Sequence, residues 1–178
     1  MSTETGDIID ALAGIEPGSS LDGIRARRVQ ARDNAQKSYL ALFEPIDASE
    51  FSLAERCAVA AFVAGVHGGA TMTGFYLGRL AATVDRPERI EAIKAEIERG
   101  KTSGPYGAFP AGPLSVENKV GLIYCVSADR EPVLGARLAA ALEHAHLLVF
   151  RPRDAASSDM KVLLGASLGR PASTALNA

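Results

Sequence analysis

Apolar residues recur along most of this chain at the three- and four-residue spacing of helices, and glycine and proline separate the runs. The pattern predicts a short first helix over residues 6–12. A long second helix is predicted from Ser19 or Ser20, as the N-terminal cap, to about Phe43, where Pro45 ends it. The apolar stripe of this long helix consists of Leu21, Ile24, Ala31, Ala35, Tyr39 and Leu42.

The next two predicted helices form the most apolar part of the chain. A helix from Leu53 to Val66 is apolar nearly all round, which is typical of a helix buried in a domain or in a subunit interface. A Val-His-Gly-Gly break follows it. A second helix, over about residues 70–84, carries Gly74 and Gly78 four residues apart, which favours close helix packing.

A segment rich in proline and glycine over residues 100–114 divides the predicted helices. It follows an amphipathic helix that is predicted to begin at a cap, Asp85, and to end at about Arg99. The proline and glycine residues of the segment 100–114 disfavour any regular element there. Two interpretations stay open: a linker between two helical halves, or a loop that closes over a pocket with Tyr106 and Phe109.

The second half of the chain repeats the helical pattern. One helix is predicted to begin with Ser115 as its cap, and another to run from Asp129 to about Val149. The run that begins at Arg137, Arg-Leu-Ala-Ala, echoes the one that begins at Arg79, and this favours an internal repeat of a helical hairpin.

Strand patterns are sparse, so the predicted fold class is all-α. We predict a single domain over residues 1–178, long enough for a sizeable core. Residues 1–18 hold the short N-terminal helix, residues 100–114 form the connector, and residues 160–178 form an atypical C-terminus whose end frays.

Composition narrows the classes of function. The 178 residues are 47% hydrophobic and 22% charged, as in ordinary globular proteins, and the net charge of −2 gives no field that would attract nucleic acid. The sequence predicts no secretory signal and no membrane span. Two cysteines fit a reducing cytoplasm better than a disulfide framework. We expect no cofactor and no metal ion.

Three side chains in the apolar region are candidates for acid–base chemistry. Glu55 is spaced from Ser52 as a capping box, and this structural role is compatible with a catalytic one. His67 ends the apolar helix beside two glycines, where it can serve the helix end or a pocket. Tyr76 can donate a hydrogen bond to an oxygen ligand or belong to the core.

The cysteines and the remaining histidines give weaker indications. Cys57 and Cys125 both lie in apolar runs, and a buried thiol has a raised pKa and is inert. His144 and His146 are two residues apart, about 200° around a helix, so they cannot hold one metal ion from the same face.

Three segments of the chain resemble the alkylhydroperoxidase D-like, or carboxymuconolactone decarboxylase (CMD), family. They read FSLAERCAVAAFVAGVHGGATMTGFYLGRL, LGARLAAALEHAHLLVFRPRDA and DIIDALAGIEPGSSLDGIRARR. The resemblance covers about residues 7–156. It implies a helical bundle with two related halves, and a CMD subfamily that accompanies a second CMD-domain, peroxidase-like protein. In the wider family a further apolar helix follows the Arg-Pro-Arg-Asp region, and the sequence predicts that it is shortened or lost here.

The redox centre of the family is absent from the matching positions. The family has a Cys-x-x-Cys-x-x-x-His motif, and its two cysteines correspond to Gly69 and Met72 and its histidine to Tyr76. A thiol peroxidase needs a thiolate to attack the peroxide and a second thiol to resolve the sulfenic acid. Glu55 is retained, and the resemblance implies that the family's glutamate feeds a proton relay to the thiols.

Three hypotheses follow, in this order. The first is a CMD-fold protein without thiol peroxidase activity that acts as a subunit or partner of an active paralogue. The second is an enzyme of another class, such as a lyase or decarboxylase for a small organic acid, with Glu55, His67 and Tyr76 in its pocket. The third is residual peroxidase activity through Cys57 or Cys125. In each case a homo-oligomer is expected, with no nucleic acid and no membrane as partner.

Overall fold

The computed structural model describes residues 6–84 and 86–167, and every regular element of two or more turns in these ranges is a helix. The predicted all-α class is therefore confirmed for this part of the chain. The chain divides into two compact units, Met1–Arg56 and Cys57–Ala178. The predicted cap Asp85 and the predicted frayed end from residue 168 lie outside the described residues.

The first unit contains two short helices, α1 (Ile8–Ala13) and α2 (Ser20–Ala26), and a longer one, α3 (Val29–Phe43). Helices α1 and α2 both contact α3. The predicted continuous helix from Ser20 to Phe43 is wrong, because the backbone leaves the helical region at Arg28. Ser19 does cap α2, since its side chain accepts a hydrogen bond from the backbone of Asp22.

An ion-pair network ties α1 to the following helices. The Asp7 side chain caps α1 by accepting hydrogen bonds from the backbone N–H groups of Ile9 and Asp10. The same carboxylate binds Arg25 at 2.9 Å and Arg32 at 3.1 Å, and Asp10 pairs with both arginines. The side chains of Leu21 and Ile24, which belong to the predicted apolar stripe, are both 55% exposed.

Helix α4 (Leu53–Val66) has the predicted bounds and crosses the boundary between the two units. The rest of the second unit consists of α5 (Ala70–Ala81), α6 (Pro87–Gly100), α7 (Glu131–Leu134), α8 (Ala136–Phe150) and α9 (Ser157–Ser167). Two 3₁₀ turns, Pro113–Glu117 and Pro152–Asp154, complete it. Helix α9 includes the first part of the segment that was predicted to be atypical.

The core of the second unit lies between α4, α6 and α8. Fully buried side chains include Cys57, Ala58, Ala61, Phe62, Leu80, Ile93, Leu138 and Leu142. Gly65 allows α4 and α6 to approach closely, because a Cβ atom there would lie 2.5 Å from Cγ2 of Ile97. Dispersion and close packing in this layer hold the elements that carry the candidate site.

Two predicted helix starts in the second half are corrected by the structure. Ser115 lies in a 3₁₀ turn rather than at the start of an α-helix, and the chain then continues in irregular conformation. The helix predicted from Asp129 is divided into α7 and α8 at Gly135, whose φ of 82° interrupts the helical path. Glycine adopts this left-handed region without steric cost.

Candidate functional site

A cavity of about 150 Å³ lies between α8 and α9 and concentrates ionisable groups. Its apolar wall comes from both helices. Its polar wall comes from the middle of α8, the residue after α8, the start of α9 and the segment before α7. The lining residues are Tyr124, Ala140, Glu143, His144, Leu147, Arg151, Asp159, Val162 and Leu163. Convergent polar groups in an apolar pocket are typical of a small-molecule site.

Two buried nitrogen atoms in this cavity lining have no hydrogen-bond partner among the described residues. They are Nδ1 of His144 and Nε of Arg151. Arg151 uses Nη1 for a long contact of 3.4 Å with Asp154. A buried donor that is left unsatisfied costs about 1–3 kcal/mol, so Nε of Arg151 favours a bound acceptor. Nδ1 of His144 does so in the tautomer that carries the proton on this atom.

Glu143 is an acidic residue of the cavity lining whose pKa is raised by its surroundings. Burial raises the pKa of its carboxyl group, although the hydrogen bond from the backbone of Val126, at 2.8 Å, acts in the opposite direction. The carboxylates of Glu131 and Glu96 raise it further. A carboxyl group with a raised pKa in a cleft is a candidate for proton exchange with a ligand.

A buried polar network supports the inner end of the cavity. The hydroxyl of Tyr124 donates to Oε2 of Glu96 at 2.6 Å, and Glu96 is 0% exposed. Arg99 at 2.6 Å and Arg130 at 3.3 Å compensate the Glu96 charge, and the backbone N–H of Ser127 donates to its other oxygen at 3.3 Å. Burial, followed by Glu96, raises the pKa of Tyr124 well above its usual range, so the phenol stays protonated.

His146 holds Tyr124 from the other side. The two rings are stacked with their centroids 4.7 Å apart, and Nε2 of His146 bonds to the carbonyl oxygen of Gly100 at 2.9 Å. With the proton on Nε2, the imidazole donates this bond. Burial lowers the pKa of His146, so the ring is held neutral. The network therefore fixes the position of the Tyr124 ring in the cavity wall.

The predicted site residue Glu55 forms the predicted capping box. Its Oε2 accepts hydrogen bonds from the backbone and the hydroxyl of Ser52 at 2.9 and 2.7 Å, and the Ser52 hydroxyl accepts one from the Glu55 backbone at 3.3 Å. The structural role of Glu55 is thus confirmed. Its part in acid–base chemistry stays a prediction.

His67 and Tyr76 lie in the second unit and outside the α8–α9 cavity. His67 is exposed after the last residue of α4, with its ring 6.2 Å from the ring of Phe150. Tyr76 is half-buried in α5, where it makes an edge-to-face contact of 5.1 Å with Phe75. Neither residue lines any of the three described cavities. Their chemical role also stays a prediction.

The two thiols lie in different environments. Cys57 is buried, as predicted, and burial raises its pKa, although Arg79 acts in the opposite direction. Cys125 is exposed, so the prediction of a buried position is wrong. Partial desolvation and the Glu143 carboxylate still raise the pKa of the Cys125 thiol. Both thiols are free.

The connector forms part of a second cavity, of about 370 Å³. Tyr106 is buried there and donates to the carbonyl oxygen of Leu122 at 2.7 Å. Its ring leaves no room at Gly121, where a Cβ atom would lie 2.3 Å from Cδ2 of Tyr106. Phe109 is not in the cavity lining but lies under Arg153, 3.9 Å from its guanidinium carbon. The interpretation of the connector as a pocket wall is supported by Tyr106, Gly107 and Ala108 but not by Phe109.

The sequence analysis predicted no site at the α8–α9 cavity. The sequence nevertheless contains one local signal of it. Glu143 and His144 are ionisable residues inside an otherwise apolar helical run, ALEHAHLLVF. Tyr124 and Arg151 lie outside that run, and only the folded chain brings them into the same lining. Among residues 6–84 and 86–167, no group of His, Cys, Asp and Glu side chains is arranged to hold a metal ion.

Comparisons with known proteins give no relative for this chain: no protein-family model, no curated protein and no solved structure matches it. Within the described ranges, no helix combines the length and the apolar character needed to cross a bilayer.

Proposed function

We propose that this chain is an alkylhydroperoxidase D-like helical protein without a thiol peroxidase centre, and that it acts as a subunit or partner of an active peroxidase-like paralogue. The observation that carries the first part is the state of the two thiols. Cys57 is 0% exposed, Cys125 is exposed, and the pKa of each thiol is raised. Peroxide reduction needs a reactive thiolate and a resolving thiol, and neither cysteine has the required environment.

The partner role is supported by apolar side chains on the surface of the second unit. Val120 and Val116 are 103% and 90% exposed, and Ile123 is 69% exposed. All three lie in the segment that follows the connector. Exposed apolar side chains in one segment favour an interface, because a contact that covers them removes apolar surface from water. A homo-oligomer and a reducing cytoplasm, which suits two free cysteines, complete the proposal.

The first test is a thiol-dependent peroxidase assay on the isolated chain. We expect hydroperoxide turnover equal to that of a protein-free control, and no change in the variants Cys57→Ser and Cys125→Ser. The physical reason is that each thiol stays protonated at neutral pH. Turnover that Cys57→Ser or Cys125→Ser abolishes would contradict the proposal and favour residual peroxidase activity.

The second test is co-expression with a CMD-domain paralogue from the same genome, followed by size-exclusion chromatography. We expect the two chains to elute together and Val120→Glu to separate them, because a buried charge without a partner is costly. Ala128→Glu, which adds the same side chain at another exposed position, serves as the matched control and should leave the complex intact. Separate elution of the two unmodified chains argues against the partner role.

A second candidate function is supported by the α8–α9 cavity. An enzyme for a small organic molecule would use Glu143, with its raised pKa, as the proton-exchanging group, and Tyr124 as a fixed hydrogen-bond donor. These residues differ from the set that the sequence suggested.

A further inference from the structure

The α8–α9 cavity carries both signs of charge on its polar wall. Arg151 supplies a guanidinium group, and Glu143 and Asp159 supply two carboxylates. The apolar wall consists of Ala140, Leu147, Val162 and Leu163. A ligand that matches this lining has an anionic group, a cationic group and a short apolar part.

The anionic group of such a ligand has two donors ready for it. Nε of Arg151 and Nδ1 of His144 are buried without a hydrogen-bond partner among the described residues. A carboxylate accepts several hydrogen bonds at once and can satisfy both atoms, with the His144 proton on Nδ1. Hydrogen bonds between a guanidinium and a carboxylate are about twice as strong as neutral ones.

The cationic group has two acceptors. Glu143 accepts from the backbone of Val126 at 2.8 Å, and Asp159 accepts from the backbone of Ala156 at 2.7 Å. A carboxylate has about four lone-pair sites, so each keeps capacity for further donors. An ammonium group supplies three donors and compensates the charge of a desolvated carboxylate.

We propose that this cavity binds a short aliphatic amino acid as its zwitterion. Arg151 and His144 bind the ligand carboxylate, and Glu143 and Asp159 bind its ammonium group. The aliphatic side chain packs against the apolar wall. The cavity has a volume of only about 150 Å³, so a branched side chain of three or four carbons is near the upper limit.

The site does not depend on the partner role proposed above. A chain that elutes alone in the co-expression test can still bind the amino acid. Conversely, a complex can form in which the cavity is empty. The two proposals therefore fail on different measurements.

Isothermal titration calorimetry of the full chain tests the ligand class directly. L-valine is the probe, and two analogues each lack one charged group: 3-methylbutanoate has no ammonium, and 2-methylpropylamine has no carboxylate. We expect L-valine to bind and each analogue to bind at least about tenfold more weakly, since each loses charge-assisted hydrogen bonds. L-tryptophan, which exceeds the cavity, should not bind.

Variants then locate the site. Glu143→Gln and Arg151→Met should each weaken L-valine binding at least about tenfold. The controls, Glu98→Gln and Arg153→Met, alter ionisable side chains that do not line the cavity and should leave the affinity unchanged. Far-UV circular dichroism of each variant separates loss of binding from loss of folding.

Two outcomes overturn the proposal. One is the absence of a heat signal with L-valine, L-alanine and L-leucine alike. The other is an analogue that binds as tightly as L-valine, which would assign the cavity to simple carboxylates or simple amines. Because the analogues act on the unmodified chain, this second outcome is decisive even if a variant fails to fold.

Discussion

Replacing Glu96 with alanine is expected to lower the free energy of unfolding by about 3 kcal/mol. The side chain is 0% exposed and accepts from the Tyr124 hydroxyl at 2.6 Å. Its removal leaves that buried hydroxyl and the backbone N–H of Ser127 without their acceptor, and it leaves a void in α6. Arg99 and Arg130 are 44% and 30% exposed, so water can solvate the released cations and limit the loss.

Urea denaturation monitored by far-UV circular dichroism measures this effect. The matched control is Glu98→Ala in the same helix, where the carboxylate is exposed and pairs with Lys101 at 2.6 Å. An exposed pair of this kind contributes at most about 1 kcal/mol. Glu96→Gln should fall between the two, because the amide oxygen can still accept from Tyr124. Equal losses for Glu96→Ala and Glu98→Ala would show that the network contributes nothing to stability.

Local signals in the sequence were sufficient to predict the bounds of α4 and the start of α5 in the apolar region. Helix α4 has its predicted bounds, because a capping box marks its start and the Gly-Gly pair after His67 marks its end. The predicted helix start at about Ala70 is also correct. The capping hydrogen bonds between Ser52 and Glu55 depend on residues three positions apart, so they can be inferred without tertiary structure.

Long-range contacts determine the conformation of a segment that the local sequence did not predict correctly. Residues 118–123 follow Ser115, which was predicted to cap the start of a helix. The structure is irregular there, since Lys119 pairs with Gly107 of the connector and the Tyr106 ring lies against Gly121. These partners are more than ten positions away, so no local pattern could reveal them.

The candidate site could not be predicted from the sequence either, because long-range contacts bring its residues together. The family resemblance directed attention to Glu55, His67 and Tyr76, around positions where the thiol motif is absent. The cavity instead draws Tyr124 from an irregular segment and Arg151 from the residue after α8. An isolated charge in an apolar helix, as at Glu143, is the kind of local conflict that natural sequences keep at functional sites.

Phe62→Ala is expected to have the largest effect on stability, a loss of about 3–5 kcal/mol. The ring is 0% exposed in α4, and its centroid lies 5.3 Å from that of Tyr124 and 6.4 Å from that of His146. Truncation removes the transfer free energy of the ring and leaves a cavity that the helix backbones cannot close. Loss of this support also frees the Tyr124 ring to move in the wall of the α8–α9 cavity.

Two further variants show whether the loss comes from packing at this position. Phe62→Leu keeps most of the volume and should cost clearly less than Phe62→Ala, because the residual cavity is smaller. Phe109→Ala removes the same ring at a half-buried position beside Arg153, where a loss below about 1 kcal/mol is expected. Urea denaturation of Phe62→Ala, Phe62→Leu and Phe109→Ala measures the loss in the free energy of unfolding for each variant. A loss for Phe62→Ala no larger than that for Phe109→Ala would contradict the assignment of the core to the layer of α4, α6 and α8.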